Sequence, residues 1–333
     1  MGVWQVDADT LAGSRFVVSQ LAEVTASLKK LADPRAAHPG ERAWLDAYLP
    51  AYRARLAADP VTALLVDTAF GASWIADFVT PTPRGEPGLD LAAGLAQIRA
   101  TPPAVVRADL AVASGGPLPG PLARADDLAA RMAALLEWTW RETVRPDWDR
   151  RRRIVEADVV ARTRELTVGG WAAAFGGMRP AMRWLGGGRL RINAHDYPPR
   201  DVSGAALLFI PVTPHQGWVS WPQPADRYAV VYPCAGALAD AGRTAPPAGL
   251  ATLLGTARAQ VLVLLGRPLT TTQLVALTGQ GLGSVGRHLK VLLDARLVRR
   301  RRAGRSVLYY RSPAGDTLLA AQAEDEVEEK SGT

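Results

Sequence analysis

Arg287, His288, Lys290 and the run Arg299-Arg300-Arg301-Arg302, with Arg305 and Arg311 close behind, carry the most pointed chemistry of this 333-residue chain. An arginine offers a planar fork of donors that can pair bidentately with a guanine edge or grip a phosphate. Ser284 and His288 can reach bases or phosphates as well. An arginine run by itself is more often a solvated face. Here its setting directs the reading, because the run follows at once on a helix whose exposed face carries Arg287.

The elements that must position these side chains can be derived in turn. Thr271 or Thr272 is expected to N-cap a helix, its hydroxyl accepting from an orphan backbone N–H. Leu274 and Leu277 are the apolar pair of that helix, and Gly279-Gln280-Gly281 supplies a turn in which positive φ is cheap. A second helix is predicted from Leu282 to Asp294. Its apolar stripe is Val285, Leu289 and Leu292 at i, i+4, i+7. Ser284, Arg287, His288 and Val291 fall on another face at i, i+3, i+4, i+7, the division a recognition helix needs. Arg299 to Arg302 and Ser306 to Arg311 read as two strands of a hairpin with Ala303-Gly304-Arg305 at its tip. Leu250 to Leu265 is expected as the first helix of the domain. The whole is a winged helix-turn-helix. The candidate DNA contacts are Thr272, Ser284, Arg287, His288, Lys290, Val291, Arg301, Arg302 and Arg305.

The pattern of Thr271, Leu274 and Gly279, then Val285, His288, Leu289 and Leu292, then Ala295, Leu297 and Val298, resembles ArsR/SmtB-type winged-helix regulators. The resemblance implies a homodimer on a palindromic operator in double-stranded DNA, usually acting as a repressor. Gly281 and Gly286 stand where such regulators often carry serine. Gly281 forgoes a capping side chain, and Gly286 costs about 0.8–1 kcal/mol of helix propensity relative to alanine. Either a recognition helix less rigid before DNA binds or a missing phosphate contact would follow. The metal chemistry of some relatives is not expected. Threonines 270–272 stand where a Cys-x-Cys pair would lie, and Asp316 to Gln322 holds no histidine. The N-terminal stretches SRFVVSQLAEVTASLKKLADP, IADFVTPTP, EADVVARTRELTVGGW and VVYPCAG resemble an uncharacterised domain that precedes ArsR-type modules in actinobacterial regulators. That resemblance implies a regulator architecture and supplies no ligand or catalytic residue.

Charge agrees with this division. The net charge is +7, of which residues 250–311 carry +10, residues 312–333 −5 and residues 1–249 only +2. Basic charge thus gathers where phosphate binding requires it. The acidic tail EDEVEEK is expected to be a solvated end. One cysteine, Cys234, rules out an intramolecular disulfide and a four-cysteine zinc site. The N-terminus lacks the basic start and apolar run of a signal peptide, and no apolar segment approaches the roughly 20 residues that span a bilayer. A cytoplasmic protein without membrane contact, metal or cofactor is expected.

Residues 1–249 read as a mostly helical domain ending in short strands. Val3 to Val6 is a candidate strand. Phe16 to Leu31, Arg42 to Ala57, Leu89 to Arg99, Leu122 to Thr143 and Trp148 to Leu166 have helical spacing, with Pro146 placed to begin a helix. Arg189 to Asn193, Ala206 to Pro211, Trp218 to Trp221 and Tyr228 to Tyr232 read as strands of one small sheet, and Gly236 to Pro247 as a linker or short helix. The fold class is mainly α with small β elements (α+β). The domains are 1–249 for sensing or dimerisation, 250–315 for the winged helix, and 316–333 for a helix end and acidic tail.

Catalytic chemistry is not expected in the N-terminal region. His195-Asp196 is a tempting acid/base pair, but neighbours on a strand point to opposite faces, so a loop histidine is the simpler reading. Cys234, after Pro233 at an apolar strand end, reads as a buried thiol. Gly186-Gly187-Gly188 lacks the lysine and helix of a phosphate loop and reads as a hairpin turn. Arg150 to Arg153 could bind an anion or DNA flanks, with a solvated helix face the plainer choice. Trp138, Trp140, Trp148, Trp171, Trp184, Trp218 and Trp221 can fill a core or line an effector pocket between the middle helices and the sheet. Three functions remain apart at this point: an effector-responsive DNA-binding regulator, a winged-helix protein–protein or assembly scaffold, and an enzyme with a DNA-binding appendage, the last lacking any nucleophile–base or metal-ligand motif.

Overall fold

The computed structural model describes residues 2–37, 39–71, 74–83, 91–194, 198–222, 225–234, 246–266, 268–303 and 306–321. Contacts divide the chain into two compact units, Met1–Asp149 with Ala161–Cys234, and Arg150–Val160 with Ala235–Thr333.

The first unit opens with β1 (Val3–Gln5), α1 (Ala8–Ala12) and β2 (Arg15–Phe16). Six helices follow: α2 (Gln20–Ala32), α3 (Pro39–Ala57), α4 (Pro60–Ala69), α5 (Leu91–Arg99), α6 (Pro103–Ser114) and α7 (Gly120–Arg124). After α8 (Leu128–Thr139) the backbone loosens into a π turn, Trp140–Val144, and a 3-10 turn, Arg145–Asp147. The long α9 (Trp148–Ala174) begins there, interrupted at Gly170, whose φ is 64°. Strands close the unit: β3 (Arg183–Gly186), β4 (Arg189–Arg191), β5 (Arg200–Asp201), β6 (Ala206–Val212), β7 (Trp218–Ser220) and β8 (Arg227–Pro233).

Several sequence expectations are redrawn. The helix expected from Phe16 starts at Gln20, capped by the Ser19 hydroxyl, which accepts from the Ala22 N–H at 3.1 Å. Arg15 and Phe16 instead pair in parallel with Leu208 and Phe209. The helix expected over Leu122 to Thr143 breaks at an extended Ala125, whose carbonyl accepts from Arg107. Helices α4 and α6 went unread, although each starts with proline at its first turn, and the Asp59 carboxylate caps α4 through the Thr62 N–H.

The single small sheet is in fact two sheets of four strands, ordered β3-β4-β1-β5 and β2-β6-β8-β7. In the second, β6 runs parallel to both β2 and β8, and only β7 is antiparallel. Leu207 and Phe209 pack on one face with Phe175, Tyr228, Val230 and Tyr232. Leu208, Ile210 and Val212 pack on the other with Ala22, Ala26 and Val231. Burial on both faces explains the unbroken apolar runs of β6 and β8. On that second face lies α2, which is buried along nearly its whole length and touches α3, α5, α8 and β6. The carboxylate of Glu23 accepts from the backbone N–H of Thr213 at 2.8 Å and from its hydroxyl, tying α2 to the end of β6. The three glycines 186–188 do form the β3–β4 hairpin turn, all at positive φ. Cys234 is buried. His38, His195 and Asp196, most of the expected linker at 236–247 and the acidic tail lie outside the described residues.

The second unit contains α10 (Ala248–Leu254), α11 (Thr256–Leu264), α12 (Thr271–Thr278), α13 (Leu282–Asp294), the hairpin β9 (Val298–Ala303) and β10 (Ser306–Arg311), and a helix over 313–321. The one helix expected over Leu250 to Leu265 is two, because Gly255 at φ 80° ends α10 and starts α11. Leu250, Leu262, Leu274, Val285, Leu289, Leu292 and Val298 share one core. Residues 150–160 of α9 belong to this unit and add Ala157 to that core. The solvated reading of Arg150 to Arg153 therefore fails for Arg151, which is 0% exposed, while Arg152 remains in solvent.

Candidate nucleic-acid interface

The interface is assembled from α12, α13 and the hairpin. Thr270, one residue before the expected caps, starts α12. Its hydroxyl accepts from the Gln273 N–H at 3.2 Å, and the Gln273 side chain accepts from the Thr270 N–H at 2.8 Å. This reciprocal capping box satisfies two orphan donors at once. Gly279, at φ 69°, closes the helix in the left-handed region. The turn then delivers α13 from Leu282 to Asp294 as expected, with Gly281 at its cap in ordinary extended backbone.

Val285, Leu289 and Leu292 are buried and fix the inner face of α13. Gly286, Arg287, Lys290 and Val291 are exposed, Val291 at 44%, and Ser284 and His288 are half-buried. The Arg287 guanidinium donates to the Ser284 hydroxyl at 3.3 Å, one turn earlier. That contact holds the arginine along the exposed face. Burial, and then the positive charges of Arg258 and Arg287, push the His288 pKa below its ordinary value. At neutral pH its ring is thus an uncharged donor and acceptor. Thr272 is 7% exposed and joins the packed side of α12, apart from this exposed set.

The end of α13 is built on Arg296, which adopts φ 58°. The Leu297 N–H donates to the Leu292 carbonyl and the Arg296 N–H to the Leu293 carbonyl, both at 2.9 Å. This is a Schellman closure with arginine in the position glycine usually holds. It turns the chain directly into β9. In the hairpin Arg299 faces Tyr310, Arg300 faces Tyr309, Arg301 faces Leu308 and Arg302 faces Val307. Arg299 to Arg302 are all exposed. The Tyr309 N–H and carbonyl both pair with Leu269, at 2.8 and 2.9 Å, and so brace the hairpin against the segment that precedes α12. Arg305 lies outside the described residues.

Arg311 is spent on structure. Its guanidinium donates to Asp316 at 2.8 Å and reaches the Val263 carbonyl at 3.4 Å. Arg258 gives no signal of its own in an apolar helix, and its nearness to His288 arises only from tertiary folding. The arrangement as a whole presents donors and cations from one helix face and one hairpin. Such a surface can bind base edges and phosphates. Among the described residues no group of His, Cys, Asp and Glu could hold a metal ion, and no helix is long and apolar enough to cross a membrane.

Residues 257–300, from α11 into β9, match the family described as bacterial regulatory protein, arsR family. Comparison with curated proteins and with solved structures found no match for the chain.

Proposed function

We propose that this chain, whose C-terminal domain is an ArsR-type helix-turn-helix and which is thereby a DNA-binding transcriptional regulator at the family level, acts as a dimeric repressor on a palindromic operator. The observation that carries the proposal is the exposed face of α13: Arg287 beside Ser284, with His288, Lys290 and Val291 on adjoining positions. In this reading Arg287 reads a guanine edge in the major groove, and Val291 meets a thymine methyl. Arg301, Arg302 and Arg305 hold flanking phosphates. Leu253 on α10, 67% exposed, supports a contact between two copies. The first unit serves as the effector-responsive part.

The test is fluorescence anisotropy on the DNA upstream of the chain's own gene, against scrambled DNA, across a salt series. Selective binding that weakens steeply with salt, and a loss of about 1–3 kcal/mol of it in Arg287→Ala, is the expected result. Equal, weak binding to both DNAs would overturn the proposal and favour a winged helix that engages a protein.

A further inference from the structure

We propose that a cleft in the first unit, lined by Trp4, Trp74, Ile192, Val219, Trp221 and Arg200, binds a planar aromatic carboxylate. The cleft holds about 470 Å³. That size suits a ligand of one or two rings and lies within the range of ordinary small-molecule sites.

Its walls are aromatic and fixed. Trp74 meets Trp221 edge to face, with ring centroids 6.0 Å apart and planes at 85°. Tyr228 lies against both Trp4, at 5.1 Å, and Trp221, at 5.9 Å, so the two indoles share one buried support. The Trp74 side chain is hydrogen-bonded to Asp77, which sets its orientation. Pro198 and Pro199 add rigid apolar surface, and Asn193 also lines the cleft. Six of the seven mid-chain tryptophans named from sequence went elsewhere: Trp171 and Trp184 pack around Phe175, Trp140 pairs with Trp148, Arg55 lies over Trp138, and Trp218 packs with Leu208 and Ile210.

The cleft brings its own cation, Arg200, already in place. The Arg200 guanidinium lies 4.3 Å over the Trp221 ring. Among the described residues it has no carboxylate and no hydrogen-bond acceptor. Asp201, next on the strand, also lines the cleft, and its carboxylate is engaged locally, accepting from the Ser203 N–H at 3.0 Å. A stacked guanidinium with free donors is a receptor for a carboxylate. A cationic ligand would meet Trp221 with its face already covered by a cation. The remaining indole faces and prolines suit a flat ring, which orders few torsions on binding.

This inference gives the effector of the proposed regulator a chemical class and rests on that reading for its consequence alone. Binding is measured without DNA, so the two can fail separately. Calorimetry on the full chain with benzoate, indole-3-acetate and 1-naphthoate, beside neutral 1-naphthamide and cationic phenyltrimethylammonium, is the experiment. Saturable one-to-one binding of 1-naphthoate is expected. Arg200→Gln should weaken it about tenfold, the factor expected for a lost charge-assisted contact, and leave 1-naphthamide unchanged. Trp74→Leu should weaken both. Arg200 is exposed, so its variant should melt with the parent chain. The proposal is overturned if none of the carboxylates binds by about 1 mM, a weak affinity for any specific site. It is equally overturned if phenyltrimethylammonium binds more tightly than 1-naphthoate, or if Arg200→Gln binds 1-naphthoate as the parent does.

Discussion

The winged helix and the aromatic cleft solve the problem of recognition in opposite ways. In the winged helix, the exposed side chains of α13 and β9 lie within about one turn or one hairpin of the apolar residues that hold them. In the cleft, Trp4, Trp74, Ile192, Arg200 and Trp221 come from five separate places in the chain and meet only through β1, β4, β5, β7 and the loops that flank them. Local assembly separates the binding residues cleanly from the packing residues. Non-local assembly makes the same indoles do both, since Trp221 lines the cleft and also leans on the core through Tyr228.

That contrast can be broken by substitution. The largest effect is expected from Leu289→Ala on the buried face of α13. It should destabilise the second unit by about 2–5 kcal/mol in urea unfolding, through lost transfer energy and the cavity left behind. Arg287→Ala, two residues earlier on the exposed face, should move the urea midpoint by less than about 0.5 kcal/mol while weakening operator binding by about 1–3 kcal/mol. A large stability loss in Arg287→Ala would erase the division of labour.

The third test concerns the cleft's support. Burial, and then the neighbouring charge of Asp109, push the Asp77 carboxyl up to about 6. Its folded pKa lies above the unfolded one, so it favours the native state at low pH, and this contribution is lost as pH rises through about 6. Asp77→Asn keeps an acceptor for Trp74 without the charge. It should melt higher than the parent at pH 7, by about 1 kcal/mol after allowance for partial exposure. The two should converge below pH 4, and a gap that persists there would show that the charge is not the cause. The smallest effect is expected from Gly286→Ala. A Cβ at that exposed position meets no atom within 4 Å, so a gain of just under about 1 kcal/mol in the stability of α13 is expected by circular dichroism melts. A loss would mean that the helix backbone is not in its regular geometry there.

How much of this was legible follows the same divide. The helix bounds of α13 and the hairpin strands could be read because one apolar stripe, one glycine turn and one arginine run specify them within 42 residues. The errors in that region were single-residue ones, such as a cap at Thr270 instead of Thr271, where three consecutive threonines give no local reason to prefer one. Gly255 was read through because the apolar residues on both sides keep helical spacing. In the first unit, apolar runs such as ALLFIPV carry no period, so strand direction and pairing could not be read. The parallel pairing of β2 with β6 joins residues some 190 apart, and a two-residue strand leaves almost no trace in sequence. The starts of α4 and α6 were marked by Asp59-Pro60 and Pro102-Pro103 and could have been found. The cleft could not. Nothing around Arg200 announces that Trp221 will lie beneath it.

Residues 150–160 of α9 lie about ninety residues upstream of α10, yet belong to the unit that carries the winged helix. The DNA-binding module is therefore not a contiguous cassette. A segment moved into another gene from Ala248 onward would arrive without Ala157, one of the buried members of its core. Recombination between regulators would be penalised at the very junction that composition marks as the boundary.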